Sequence, residues 1–161
     1  MSIIDKIKSI INEWANPTIE VKVKMEQGCK TLLPKKAHAS DAGFDLYASE
    51  NCIIAPNETR IVPTGVRMEI PNGYELQVRS RSGLSANNYV VVANSPGTGD
   101  AGYRNVIGVI LRNEGKFIYQ VSKGDRIAQG VFCKLPTVTL KRVTSLSDSD
   151  RGEGGFGSSG K

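Results

Sequence analysis

From Thr18 to Met25 the chain alternates, with Ile19, Val21, Val23 and Met25 on one face and Glu20, Lys22 and Lys24 on the other. A period of two is the signature of a half-buried strand. Short apolar segments continue at close intervals: Phe44 to Ala48, Cys52 to Ala55, Arg60 to Met68, and the alternating Tyr74, Leu76 and Val78. Beyond them come Tyr89 to Ala93, Val106 to Leu111, Phe117 to Val121, Ile127 to Leu135 and Thr137 to Val143. Turn formers separate several of these, as Pro56-Asn57, Pro71-Asn72-Gly73 and Lys123-Gly124-Asp125,. Many short strands at this spacing predict an all-β sandwich or barrel of the jelly-roll kind.

The two ends follow other rules. Ile3, Ile7, Ile10, Ile11 and Trp14 recur at helical spacing, so residues 1–16 read as an N-terminal amphipathic helix,. Ser2 is the candidate N-cap, with Asp5 three residues on, and Asn16-Pro17 stops the helix,. Such a helix packs on its own domain or on an oligomer neighbour; a protein partner or a membrane surface is the alternative. Residues 17–143 hold the strands. From Thr144 the composition turns to Ser, Asp and Gly, and residues 144–161 cannot form a core. They predict a flexible arm, read either as a plain disordered terminus or as a single RGG-like copy.

Composition narrows the choice. The 161 residues are 39% hydrophobic and 23% charged, which fits one globular domain with its own core,. No apolar run reaches the length of a transmembrane helix, and charges at Asp5, Lys6 and Lys8 interrupt the N-terminal isoleucines where a secretory core would need to be unbroken,. No membrane role and a cytoplasmic location are the expectations. A net charge of +5 favours an anionic ligand mildly,. No basic block is interleaved with aromatics, so direct nucleic-acid binding is not expected. Cys29, Cys52 and Cys133 are scattered and odd in number, and His38 is the sole histidine. Buried thiols and a loop histidine are the readings, not a zinc site.

Between the runs at Tyr89 to Ala93 and Val106 to Leu111 lies N-S-P-G-T-G-D-A-G-Y-R, residues 94 to 104. Two apolar strands around a glycine-rich turn predict a β-hairpin with Asp100 at its tip. Glycine has no Cβ, so the tip can bring backbone amides and carbonyls against a small planar ligand. Gly97-x-Gly99-x-x-Gly102 matches a dinucleotide fingerprint in letters. That motif must open a helix, and the β-branched residues that follow favour a strand.

Four other segments carry chemistry. Asp41 and Asp45 flank a glycine at a strand start. Arg79-Ser-Arg81-Ser82-Gly83 combines arginine, hydroxyl and glycine amide, as an anion nest requires,. Lys123 to Gln129 enters a strand through a polar turn, and the arm adds Arg151, Phe156 and a Gly-Ser-Ser run. Together they offer phosphate donors, carboxylates for a divalent metal, and one carboxylate beside a glycine pocket, an inventory that fits metal-assisted phosphate hydrolysis. A Ser/His/Asp triad lacks a base, and the P-loop pattern does not occur,.

These five segments, in this order, resemble the five motifs of the trimeric dUTPases (deoxyuridine triphosphate nucleotidohydrolases). The likeness covers Thr18 to Lys161, and G-T-G-D-A-G-Y-R and the terminal R-G-E-G-G-F-G-S-S-G are its most specific pieces. The resemblance implies a jelly-roll homotrimer with active sites shared between subunits. It implies hydrolysis of dUTP to dUMP and pyrophosphate with Mg²⁺ on the triphosphate, limiting uracil in DNA and supplying dUMP. Asp100 would deprotonate the water that attacks the α-phosphorus. Tyr103 would pack on the deoxyribose and exclude a 2′-hydroxyl. Asn94 and the backbone of Gly97, Thr98, Gly99 and Gly108 would pair with uracil. Arg81, Ser82 and Gly83 would hold phosphates, Gln129 would reach them from a neighbouring subunit, and Asp45 would meet the metal through water. Arg151, Phe156, Gly157, Ser158 and Ser159 would close over the nucleotide. The chain departs from the usual pattern at Ser80, where proline is usual, at Gly99, where a branched aliphatic is usual, and at Asn105, where glycine is usual. A dCTP deaminase or bifunctional enzyme, and a nucleotide-sensing regulatory protein, are the rival readings.

Overall fold

The computed structural model describes residues 2–8 and 18–156. Among them, eleven strands carry the fold: β1 Lys22–Met25, β2 Phe44–Tyr47, β3 Cys52–Ile54, β4 Thr59–Pro63, β5 Val66–Glu69, β6 Tyr74–Arg79, β7 Val90–Val92, β8 Gly97–Gly99, β9 Gly108–Asn113, β10 Tyr119–Val121 and β11 Arg126–Lys134. Their order is β2-β11-β6-β8 in the largest ladder and β4-β9-β7 in the second, with two-stranded ladders β1-β5 and β10-β3. Every pairing is antiparallel. Alternation places one face of each strand inside, and Leu46, Ile54, Val62, Val66, Leu76, Val109, Leu111, Val121 and Ile127 meet in one core. Each such side chain contributes roughly 1.5–3 kcal/mol on leaving water. The jelly-roll expectation holds.

Several boundaries differ from the sequence reading. Arg60 to Met68 is two strands. Gly65, at φ +69°, breaks the run, and a Cβ there would meet Cys29 Sγ at 2.6 Å. The Thr64 amide donates to Ile107 O at 3.0 Å and the Ile107 amide to Val66 O at 2.8 Å, so the chain passes from the β9 ladder to the β1 ladder at this bend. Of Thr18 to Met25, only Lys22–Met25 is paired, because β5 offers an edge of that length. Ile19 and Val21, ahead of β1, and Val23 within it line an apolar groove of about 430 Å³. Thr137 to Val143 forms no strand and pairs with none of the described strands, and Leu140 is 92% exposed.

Two helices were not legible. A 3₁₀ turn spans Lys30–Leu32, and an α-helix, α1, spans Ser82–Asn88. Glycine, serine and asparagine fill much of α1 and hide it from propensity. It starts after an extended Arg81 and ends where Tyr89 turns left-handed at φ 56°, its amide bonded to Leu84 O. At the N-terminus residues 3–8 are helical, and the expected cap forms: the Asp5 amide donates to Ser2 Oγ at 3.1 Å while the Ser2 amide donates to Asp5 Oδ2 at 3.0 Å. The Ser2 hydroxyl, which donates to Asp5 Oδ2 at 2.7 Å, and then the Ser2 amide hold the exposed Asp5 carboxyl below its ordinary pKa. The rest of the predicted helix lies outside the described residues. No described helix is long and apolar enough to cross a membrane. Cys29 and Cys52 are buried as expected, and burial pushes the Cys52 thiol up; Cys133 is only half-buried.

Candidate active site

The β7–β9 hairpin forms, in the register Val90↔Asn113, Val91↔Arg112 and Val92↔Leu111. Its connection is not a simple tip. Residues 97–99 leave the hairpin and add β8 to the edge of the other sheet, opposite β6. Asp100 follows directly, where the connection turns back and the Tyr103 amide donates to Asp100 O at 3.0 Å. The excursion opens a cavity of about 250 Å³ between the two sheets.

Asn94, Gly97, Thr98, Gly99, Asp100, Tyr103 and Gly108 all line that cavity. The glycines are required by what surrounds them. A Cβ on Gly97 would meet the Asn94 amide nitrogen at 3.0 Å, and one on Gly108 would meet Ile61 Cγ2 at 2.8 Å. The Tyr103 hydroxyl donates to Val106 O at 3.0 Å, which fixes the ring. Asn105 Oδ1 accepts the Val106 amide at 2.8 Å, so this departure from glycine closes the same turn. The apolar walls, Val78, Ile107 and Ile110, were not singled out from sequence. The inward register of Val78 on β6 and the burial of Ile107 before β9 were the available signal, whereas Ile110 lies on the face of β9 opposite Val109 and Leu111.

A second group gathers at one end of the large sheet. Gln129 on β11 is in register with Asp45 on β2 and Arg79 on β6 of its own chain. Arg81 Nε lies 3.1 Å and Arg126 Nη1 3.4 Å from the Asp45 carboxylate, which is 16% exposed. Arg126 was another residue the sequence reading missed. Gln129 donates to Ser80 O at 2.9 Å, and Ser80 Oγ accepts the Val92 amide at 2.8 Å. Serine in place of proline thus ties the Arg81 turn to β7. Burial and the neighbouring Asp45 charge both raise the Tyr47 pKa and keep its hydroxyl neutral. Ser82 and Gly83 open α1, where first-turn amides have no partner within the helix,.

Single-chain geometry leaves the arm apart from both groups. Arg151 Nε donates to Gly154 O at 2.8 Å, and Phe156 is fully exposed. Gly157, Ser158 and Ser159 lie outside the described residues. For a divalent metal the donor set is sparse. Among the described residues no three His, Cys, Asp or Glu side chains cluster, and Asp45 is already paired with two arginines. One carboxylate fits Mg²⁺ that arrives on a polyphosphate with its own waters, and does not fit an all-protein cage.

A dUTPase family profile matches residues 29–160. The chain belongs to the dUTPase family. The deoxyuridine 5'-triphosphate nucleotidohydrolase of Clostridium tetani is 46% identical over 144 residues, covering 89% of this chain and 97% of its own. That of Gloeothece citriformis is 48% identical over 129 residues, covering 80% and 89%. Among solved structures, a Staphylococcus bacteriophage 80alpha dUTPase with dUpNHpp superposes with a TM-score of 0.82 at 31% identity, covering 89% of this chain and all of that one. A dUTPase from phage phi11 of S. aureus, described for its coordination of a structural Mg(II) ion, gives 0.74 at 26% identity over 81% of this chain and all of that one. The solved dUTPase structures agree with the jelly-roll fold.

Proposed function

We propose that this chain hydrolyses dUTP to dUMP and pyrophosphate. One observation carries the reading: Asn94, the Gly97 to Asp100 backbone, Tyr103 and Gly108 face a single cavity of about 250 Å³, which offers amide and carbonyl groups on one side and a carboxylate at its rim. Hydrogen bonds to a base edge discriminate strongly, because a wrong base leaves buried polar groups unpaired. Tyr103 closes the sugar side. Asp100, exposed at the end of β8, accepts the proton of a water as its oxygen bonds the α-phosphorus and the bond to the bridging oxygen breaks. Such a base contributes about 10²–10⁴-fold.

Arg81, with Ser82 and Gly83 behind it, binds the phosphates, and Gln129 accompanies it on the neighbouring strand. Mg²⁺ bound to the triphosphate neutralises charge on the transferring group. Asp45 orients Arg81 and holds a water of that ion.

The working form is a homotrimer. Two features support it: the unpaired alternation of Val138 and Leu140, 71% and 92% exposed, and the open groove at Ile19, Val21 and Val23. Copies pairing edge to edge would cover both. The arm, with Arg151, Phe156, Gly157, Ser158 and Ser159, then closes over a nucleotide held by another subunit.

The deciding measurement is pyrophosphate release from a panel of nucleoside triphosphates, wild type against Asp100→Asn. Cleavage of dUTP far above dCTP, dTTP and UTP, nearly abolished in the variant, is expected. Full turnover by Asp100→Asn would remove the assigned base, and ammonia release from dCTP would replace the reaction.

A further inference from the structure

The residue before Asp100 is Gly99, where a side chain is usual, and the missing volume is supplied from the next strand. Leu76 on β6 stands opposite Gly99 on β8. It is 1% exposed. A Cβ on Gly99 would meet Leu76 Cβ at 3.2 Å, Leu76 O at 3.3 Å and Leu76 Cδ2 at 3.7 Å. On the other flank, a Cβ on Gly130 of β11 would meet Leu76 Cδ1 at 2.9 Å. One leucine therefore reaches, through its two methyl groups, the side-chain spaces of two glycines on the two strands beside it. Phe132, its partner on β11, covers the same rung.

We infer that Leu76 is a positioning residue for Asp100, and that positions 76, 99 and 130 act as one packed set. β8 has only three residues and, as an edge strand, is paired on one side alone, so little holds its position beside β6. Leu76 is the cross-strand neighbour of its last residue. Interiors are close-packed and pass on small displacements. Removing the isobutyl group lets β8 settle toward β6, and the carboxylate that begins at the next residue moves with it. Adding a side chain at Gly99 lifts β8 off Leu76 and moves the same carboxylate the other way. Leu76 contacts no substrate, whereas Gly99 faces the cavity through its backbone. The inference rests on Asp100 being the base of the proposed hydrolysis.

The two directions make a volume-exchange test, since volume-conserving swaps are the best tolerated core changes. Leu76→Ala and Gly99→Val, each alone, are expected to lower kcat for dUTP about 10- to 100-fold, the cost of misplacing a catalytic group by a fraction of an ångström to an ångström. The loss should be larger in kcat than in KM, although KM also rises because the Gly97 to Gly99 backbone that faces the nucleobase shifts with β8,. The double variant Leu76→Ala/Gly99→Val should be faster than the slower single variant yet short of wild type, because Leu76 Cβ and O, which a Cβ at 99 would meet at 3.2 and 3.3 Å, remain in alanine; such coupling is not shown by independent sites. Leu76→Met, which keeps the volume, serves if Leu76→Ala does not fold, and should retain kcat while Leu76→Val does not. Thermal unfolding of each variant separates loss of fold from loss of position. A double variant no faster than the slower single one, or losses that appear in KM alone, would overturn the inference. If Asp100→Asn keeps its turnover, the assignment of Asp100 as the base fails and the positioning role with it; if Asp100→Asn is inactive and the Leu76 series shows no coupling, only the positioning role fails.

Discussion

Arg81 Nε and Asp45 Oδ1 lie 3.1 Å apart, joining the turn after β6 to β2 across the intervening strand β11. Arg126 approaches the other carboxylate oxygen at 3.4 Å. Asp45 thus holds two cations at the end of the large sheet where Gln129 also stands. Its partial burial strengthens the pair relative to a surface bridge. Asp45→Asn removes the charge and keeps the shape. Arg81 then loses its anchor, and kcat/KM for dUTP should fall about 10–10²-fold, the effect of losing a buried charged partner. Steady-state kinetics with varied Mg²⁺ checks this. Unaltered kinetics would separate Asp45 from the site.

Tyr103 presents its ring to the cavity while its hydroxyl is bonded to Val106 O. The ring, rather than the hydroxyl, is the part that excludes a ribose. Tyr103→Phe should therefore keep most of the preference for dUTP over UTP, whereas Tyr103→Ala should reduce it by about tenfold or more, within the range set by pocket contacts. The ratio of kcat/KM for the two nucleotides is the readout. Equal losses in both variants would give the role to the hydroxyl bond instead.

The sequence made the fold class and most strands legible because half-buried antiparallel strands alternate, as at Tyr74, Leu76 and Val78. It also made the cavity residues legible, since the chemistry of Asn94 to Gly108 is contiguous. What it hid had physical reasons. The break at Thr64-Gly65 depends on Cys29 packing beneath it. The excursion of β8 depends on the edge of β6, and α1 consists largely of poor helix formers. Arg126 looked like an ordinary turn residue, because its contact with Asp45 spans 81 positions. Ser80 and Asn105 read as departures from a pattern, yet each makes a backbone bond that the family's usual residue cannot make from a side chain. Gly99 could not be understood without Leu76. Thr137 to Val143 alternates like a strand, but it pairs with none of the described strands and leaves Leu140 exposed.

The arm offers a cleaner division of labour. Among the described residues the Arg151 side chain bonds to Gly154 O within the arm, and Phe156 is fully exposed, so the folded domain of one chain does not depend on them. Truncation after Asp150 should leave the unfolding temperature and oligomeric mass unchanged and lower kcat/KM for dUTP by about 10²-fold or more, as loss of a closing segment does. Calorimetry, light scattering and pyrophosphate release on one preparation test all three. Full activity without the arm would remove its lid role.

Asn113 is 1% exposed and uses its whole side chain. Nδ2 donates to Ile54 O at 2.9 Å and to Phe117 O at 2.8 Å, and Oδ1 accepts the Gly115 amide at 2.9 Å. One amide therefore ties the end of β9 to β3 and to the loop before β10. Asn113→Ala strands two carbonyls and one amide. At about 1–3 kcal/mol for a buried group left unsatisfied, with some water entry, the loss should be about 3 kcal/mol. Asn113→Asp should cost more, because two carbonyls that now receive N–H groups would face carboxylate oxygens, and the buried charge gains no cation. Unfolding temperatures at one fixed protein concentration rank the three proteins, a necessary control where subunits associate. The cavity residues are not among Asn113's partners, so turnover per folded molecule at low temperature should be preserved in Asn113→Ala. A stability loss under about 1 kcal/mol would mean that water replaces the amide without penalty, and the core polar tie would then be dispensable.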